Sequence, residues 1–390
     1  VQHLTLCFIA YREAATIERF LSAWRPYYDA ISFVQAVGTS EPDGTAQAVI
    51  DFCDANRVPL DKAEYRNAPG RNWRHVDDFA AARQLAFDNA NSALPGDWLF
   101  WADVDDLPEG DPEAFRALTE SDTVDLWRFP YEVPDAGKMI MRERLVCATA
   151  WPRCKWVGAV HEVIAKHSDV RMADEHAGLR WIHRPTEAKE KDQSRNLRIL
   201  NSQLESTPTN LFYVAQEYMA AGNIPLMQRY ARLFIEMPAA DQAMQYQARL
   251  WLCKAAETKA EASEHALAAL WLYSYAEALA ACVKCAMQED DAPKAAYFAA
   301  MLEACKVPAE LIWCHEPRWY SWAREDLLRR VKRMNGQQVE PYERQAFIIA
   351  SDPGEAVQTR EVWLATAEDK RVEIGFVCEN DKCRHWLRQF

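Results

Sequence analysis

The sequence predicts an α/β domain followed by a helical region. Three observations point there. Strand-like and helix-like segments alternate from Leu4 to Ala102. The short hydrophobic run Trp98 to Ala102 reads as a buried strand and ends in clustered carboxylates, Asp103-Val-Asp-Asp106. After His183-Arg-Pro185 the chain turns to Ala, Leu, Met, Tyr and Trp at helical spacing.

The elements follow in order. Leu4-Thr-Leu-Cys-Phe-Ile9 is a strand by its apolar run, and Glu13 to Trp24 an amphipathic helix. Ala30 to Val37 is a second strand, and the turn Gly38-Thr-Ser-Glu-Pro-Asp-Gly-Thr45 opens a helix over Ala46 to Asn56. A short strand near Ala63 to Tyr65 leads through a polar loop to a helix from Asp78 to Asn91. The strand ending at Ala102 then delivers the aspartates to a sheet rim, where α/β folds bind ligands. This order predicts a mostly parallel sheet with helices on both faces. Three further strand-like runs, Leu126 to Tyr131, Glu143 to Cys147 and Gly178 to Ile182, extend the sheet. From Lys189 to about Lys306 the chain reads as helices, and Phe212 to Gly222 with Met227 to Phe234 resembles a tetratricopeptide pair near that repeat's period. Helical pairs of this kind either stack with a concave face or close into a plain helical bundle, and the sequence leaves both open. Residues 336–390 mix strand-like runs, Phe347 to Ala350 and Val372 to Val377, with charged turns. The expected domains are 1–188, 189–335 and 336–390.

The 390 residues suffice for two or three domains with a sizeable core. Hydrophobic residues at 49% and charged residues at 26% place the chain among soluble globular proteins. A net charge of −13 disfavours a broad electrostatic grip on nucleic acid and leaves room only for a local basic groove. The eleven Cys are scattered, with no leader segment, and read as reduced thiols of an intracellular, cytoplasmic protein. Cys282-Val-Lys-Cys285 has metal-like spacing but lies in an Ala-rich helix without a second pair, so zinc is not expected. No apolar run reaches transmembrane length, so no membrane partner is expected.

Six motifs occur in one order. Thr5-Leu-Cys-Phe-Ile-Ala-Tyr-Arg-Glu13 is an opening strand that ends in an acid. Gly38 to Thr45 is a Gly-flanked turn, and Asp78-Phe-Ala-Ala-Ala-Arg83 begins a helix. Gly96-Asp-Trp leads to Asp103-Val-Asp105, Gly158-Ala-Val-His-Glu162 follows, and His183 ends a late strand before Arg195-Asn-Leu. Over roughly residues 3 to 235 this set resembles glycosyltransferase family 2, in the branch with tetratricopeptide-like helices behind the transferase domain. The resemblance implies an α/β, GT-A (Rossmann-like) nucleotide-sugar domain followed by an α-helical tetratricopeptide-like domain. It also implies metal-dependent, inverting transfer of a hexosyl or pentosyl group from a nucleotide-sugar, usually a UDP-sugar. Arg12 and Gln84 stand where the family usually has Asn. Ala36 stands where the family has an Asp that contacts the base. Either Glu41 or Asp43 takes that role here, or base selection differs.

Each step of such a transfer asks for particular side chains. A leaving diphosphate must be neutralised, which suits Mg2+ or Mn2+ on carboxylates. Asp105 is the first expected ligand, Asp103 holds the ribose or the metal's water shell, and the resemblance implies that His183 completes the set. An acceptor hydroxyl needs a base. Glu162, beside His161 and after the apolar run Trp156 to Val160, is the first candidate and Asp106 the second. Arg83 faces the diphosphate from its helix, Glu13 supports the nucleotide turn, and Asp43 is a candidate for the base contact.

The acceptor is the least legible part. A concave helical face suits a protein or peptide. A hydroxymethylated base in DNA is a second expectation, from basic and aromatic residues near the motifs: Arg66, Arg71, Trp73, Arg74 and His75, then Arg142 and Arg144, Arg153, Lys155 and Trp156, and Arg180, Arg184, Lys189 and Lys191 near His183. A lipid-linked or polysaccharide acceptor is the third, with no amphipathic membrane segment to support it. A non-catalytic scaffold with a degenerate transferase domain is the alternative from a different class.

Overall fold

The computed structural model describes residues 2–39, 43–94, 96–133, 138–175, 178–184, 194–203, 208–238, 240–308, 316–339, 346–350 and 374–378. The chain divides into two compact units, with the boundary between Ala256 and Glu257.

The first unit opens with β1 (Leu4–Ala10), α1 (Ile17–Trp24), β2 (Ala30–Gly38), α2 (Thr45–Asn56), β3 (Leu60–Arg66), α3 (Phe79–Ala93) and β4 (Trp98–Trp101). β1 is buried along its whole length because it lies between β2 and β4, parallel to both. Its side chains alternate between two cores, as a pleated strand requires. Leu4, Leu6 and Phe8 join Phe20, Trp24 and Phe100 on one face. Cys7 and Ile9 join Ala82, Phe87 and Trp101 on the other, under α3. α1 begins at Ile17, four residues later than its hydrophobic pattern suggests, because Glu13 to Thr16 form a turn in which the Glu13 carbonyl accepts from Thr16 N at 2.8 Å. α3 starts where Asp78 caps it, accepting from Ala81 N at 2.9 Å.

The chain continues through β5 (Asp106–Glu109), α4 (Pro112–Ala117), β6 (Leu126–Val133), β7 (Lys138–Cys147), β8 (Cys154–Val157), β9 (Val163–Lys166), β10 (Met172–Asp174) and β11 (Arg180–His183). The main sheet has the order β3-β2-β1-β4-β7-β6-β11-β5, with β10 also on β6. It is mixed rather than mostly parallel. β3, β2, β1 and β4 run parallel, but β7 is antiparallel to both β4 and β6, and β5 antiparallel to β11. The change follows from the connections: no helix intervenes between β6 and β7 among the described residues, and a parallel pair needs a long crossover. The chain leaves β1 toward β2 and β3, then returns to β4 on the other side of β1. The C-terminal ends of β1 and β4 therefore flank a topological switch point, the usual ligand crevice of such sheets.

Helices α5 (Arg195–Asn201), α6 (Pro208–Ala220), α7 (Ile224–Ile235) and α8 (Gln242–Ala255) belong to the same compact unit as the sheet. Phe212, Met227, Phe234 and Trp251 form the core of α6 to α8, and Ile199 and Leu200 of α5 pack with Val214. The second unit contains α9 (Lys259–Leu272), α10 (Ala276–Gln288), α11 (Ala292–Ala304) and α12 (Trp322–Met334), and α10 packs against each of the other three. Small residues on α10, among them Ala278, Ala280 and Ala286, let its neighbours approach closely. β12 (Ala346–Ala350) and β13 (Ile374–Cys378) pair in parallel, overlapping the two strand-like runs expected there.

Candidate functional site

The site is built at the end of β4. After Trp101 the chain turns tightly: Asp106 N donates to the Asp103 carbonyl at 2.9 Å, and Asp103 N donates to Asp106 Oδ2 at 3.1 Å. The turn reverses the chain into β5. Because β11 pairs antiparallel with β5, His183 sits opposite Asp106 in register. The backbone pairing continues one residue on, where Arg184 N donates to the Asp105 carbonyl at 2.7 Å. Two segments about 80 residues apart in sequence are thus joined at the carboxylates.

Asp105, Asp106 and His183 each offer one ligand atom, all within 4.8 Å of one another. His183 Nδ1 lies 3.6 Å from Asp105 Oδ1 and 3.5 Å from Asp106 Oδ1. Those separations are too long for a well-formed hydrogen bond. Asp106 Oδ1 and His183 Nδ1 are both buried without a hydrogen-bond partner. Buried polar atoms are seldom left so, and two of them aimed together fit a cation of the Mg2+ or Mn2+ class. The Asp106 carboxylate raises the affinity of His183 for a proton, against burial, with Asp105 adding to it.

Asp106 also has a buried counter-ion. Its Oδ2 lies 3.3 Å from Arg144 Nη1, and the two side chains are 0% and 1% exposed. Arg144 stacks on Trp101 at 3.7 Å and on Tyr131 at 4.7 Å. Burial weakens the hold of Arg144 on its proton, and Asp106 counteracts this. Burial, then Asp106, likewise pushes the Tyr131 hydroxyl upward, so Tyr131 stays neutral beside His183.

Asp103 lies outside the group of three. Arg83, from α3, donates through Nη2 to Asp103 Oδ1 at 2.6 Å and through Nε to Glu162 Oε1 at 2.7 Å. Burial opposes the charge on Arg83, but Asp103 and Glu162 outweigh it and hold the guanidinium protonated. Desolvation pushes the Asp103 carboxyl up, and Arg83 and Arg144 bring it below its usual range. Arg142 adds a third guanidinium, donating to the Glu162 carbonyl at 2.7 Å. Arg83, Arg142 and Arg144 all lie over the Trp101 ring. Arg83 Nη1 and Arg142 Nε are buried with no acceptor.

The remaining expected residues stand in three places. Glu13 is buried at the end of β1, where Thr45 Oγ1 accepts from its backbone N at 2.8 Å and Thr16 donates to its carboxylate at 2.8 Å. Asp43 accepts from Thr45 Oγ1 at 2.8 Å and Thr45 N at 3.1 Å, so it closes the turn that starts α2. Glu41 lies outside the described residues. His161 points to α6, stacking on Tyr213 at 4.5 Å, with Nε2 3.2 Å from Glu217 Oε1. Trp101, Tyr131, Tyr213 and Glu217 were not among the residues expected at the site. Glu217 alone carried a signal, an acid within the apolar run Phe212 to Ala221.

Several basic residues near the motifs already have acidic partners. Arg66 pairs with Glu64, Arg71 with Asp77, Arg153 with Asp169, and Arg180 with Glu109 and Glu132. Lys189 and Lys191 lie outside the described residues. Among the described residues no helix is long and apolar enough to cross a membrane.

No family model matches the chain, and no curated protein matches it. Among solved structures it is similar to the mannosyltransferase PcManGT from Pyrobaculum calidifontis in complex with GDP-Man and Mn2+. The identity is 14%, the match covers 86% of this chain and 87% of that one, and the TM-score is 0.39. No chemistry for this chain follows from a likeness of that size.

Proposed function

We propose that this chain is a metal-dependent, inverting glycosyltransferase, moving a sugar from a nucleotide diphosphate donor to an acceptor hydroxyl. One observation carries the reading. Two unpartnered buried ligand atoms, on Asp106 and His183, sit with Asp105 beside a stack of three arginines. Four carboxylates, on Asp103, Asp105, Asp106 and Glu162, gather with these three guanidiniums. A divalent cation would turn that near-neutral balance positive and suit it to a diphosphate. Asp105, Asp106 and His183 would hold the ion, which would supply Lewis-acid stabilisation of the leaving group.

The chain's own residues then divide the remaining work. Arg83 Nη1 and Arg142 Nε donate to phosphate oxygens. Glu162 keeps one oxygen on Arg83 and takes the acceptor proton on the other. Asp106 is fully buried and already paired with Arg144, which leaves the base role to Glu162. Asp103 fixes Arg83. Ala36, small and buried on β2, offers no carboxylate to a base, so the donor's nucleotide need not be uridine. The pairing of Arg66, Arg71, Arg153 and Arg180 with acids leaves fewer cations for DNA and favours a protein or peptide acceptor. Helices α5 to α8, in the same compact unit as the sheet and tetratricopeptide-like in sequence over Phe212 to Phe234, supply the acceptor side of this reading.

A thermal-shift screen of nucleotide sugars, each with and without Mn2+, tests the proposal. Stabilisation by one donor only in the presence of metal is expected. No donor shift, together with no metal-dependent release of nucleoside diphosphate, would return the chain to a binding scaffold.

A further inference from the structure

The loop before Glu162 has an unusual backbone. His161 has φ +55°, in the left-handed region that a non-glycine residue rarely adopts, and Gly158 three residues earlier has φ +88°. Such a conformation persists where the surroundings over-determine it, and such residues cluster at functional sites. Here the surroundings come from helices. Glu217 Oε1 on α6 lies 3.2 Å from His161 Nε2, and Asn196 on α5 donates to the same oxygen at 3.0 Å. Tyr213, one turn before Glu217, stacks on the imidazole with an interplanar angle of 23°. On the other side of the loop, the Ala159 carbonyl accepts from Phe79 N at 2.9 Å, and Arg142 holds the Glu162 carbonyl.

We propose that Glu217 is a positioning residue that locks His161 in its left-handed backbone and thereby aims the Glu162 carboxylate at Arg83 and the acceptor. The inference rests on the transferase reading for its catalytic consequence but not for its structural one. The ionised Glu217 accepts a hydrogen bond from the Nε2–H of His161, and Tyr213 fixes the ring plane, so the side chain cannot swing as the backbone relaxes. Without Glu217, His161 returns to ordinary φ. The peptide between residues 161 and 162 then rotates, and Glu162 leaves Arg83. Helix α6 is in this sense part of the site that proton transfer uses.

The test separates this role from a general packing role. The first readout is amide hydrogen exchange over residues 158–163. The second is kcat and donor KM for Mn2+-dependent cleavage of whichever nucleotide sugar stabilises the protein. Glu217→Ala is expected to speed exchange in that segment and lower kcat about tenfold or more at unchanged donor KM. Glu217→Gln keeps an oxygen for Nε2–H and should retain both properties. The deciding variant combines Glu217→Ala with His161→Gly. Glycine adopts positive φ without strain, so kcat should recover although the Glu217 contact is gone. Exchange at the wild-type rate in Glu217→Ala overturns the proposal, as does a double variant as slow as Glu217→Ala. If the wild-type protein cleaves no nucleotide sugar, the transferase reading fails, and the exchange measurement still decides whether Glu217 holds the loop.

Discussion

Asp105 and Asp106 are neighbours in sequence and differ in what they hold. Asp106 compensates the charge of Arg144 inside the protein, while the Asp105 side chain is about one-fifth exposed (22%) at the rim. Asp106→Ala would leave the buried Arg144 guanidinium without its ion-pair partner, and removing one partner of a buried ion pair costs about 3–5 kcal/mol. Its melting temperature should fall sharply even without metal. Asp105→Asn should melt near the wild type yet lose the stabilisation that Mn2+ confers, which a thermal-shift titration would show. Equal metal response in Asp105→Asn and wild type would remove Asp105 from the ligand set. A third aspartate, Asp125, shows a pH effect away from the site. Hydrogen bonds from Arg171 pull its carboxyl down to about 2. A lowered folded pKa adds stability that is present above the unfolded value, about 4, and is lost as pH falls through the folded one. The melting-temperature gap between wild type and Asp125→Asn should therefore be full at pH 6 and close between about pH 4 and pH 2. Arg171 is more than half exposed, so the gap is small and shrinks further in high salt.

At the scale of elements, the site depends on how α3 and the end of β2 are set. α3 delivers Arg83, and its start depends on the Asp78 cap. Asp78→Ala should cost about 1 kcal/mol, measurable by urea unfolding. Gly38 ends β2 at φ +60°, and a Cβ there would lie 2.7 Å from the His75 carbonyl oxygen. Gly38→Ala must strain the backbone and push the loop away at once, a cost of about 2 kcal/mol or more. If Gly38→Ala unfolds at the wild-type midpoint, the close approach of the two loops is not maintained in solution. Both variants leave Asp105, Asp106 and His183 untouched, so any loss of Mn2+ response in them would show that the switch-point loops and the carboxylate turn move together.

At the scale of the whole molecule, the compact unit that contains the sheet also contains α5 to α8. The loop bearing Glu162 is held by residues of that helical run as well as by α3. Chelation with EDTA should abolish nucleotide-sugar cleavage and leave the secondary structure intact, since the two cores on either side of the sheet need no ion. Glu162→Gln should bind donor with the affinity of the wild type and fail to transfer. Full transfer by that variant would place the base elsewhere, and full activity in EDTA would remove the metal from the mechanism.

Much of the sheet half is legible in the residues themselves. β1, β2 and β4 are largely apolar, interrupted only by Thr5, Ser32 and Gln35, because they are buried on both faces, and their shortness marks them as strands. The carboxylates at the end of β4 follow from the chain order, and the six ordered motifs mark the same stretch. The mixed direction of the strands after β4 is not legible, since an apolar run reads alike in either direction. Nor does the order of letters in Asp103-Val-Asp-Asp106 tell which aspartate meets which partner. Consecutive residues of a tight turn point in different directions, and their partners arrive from far along the chain. Arg83 comes from α3, Arg144 from β7 and His183 from β11, each placed by strand register and core packing. Composition and local pattern set the elements, because burial and backbone preference act within a few residues. The assignment of Asp103 to Arg83, and of Asp105 and Asp106 to His183, came from contacts between residues tens of positions apart, which only the folded chain brings together.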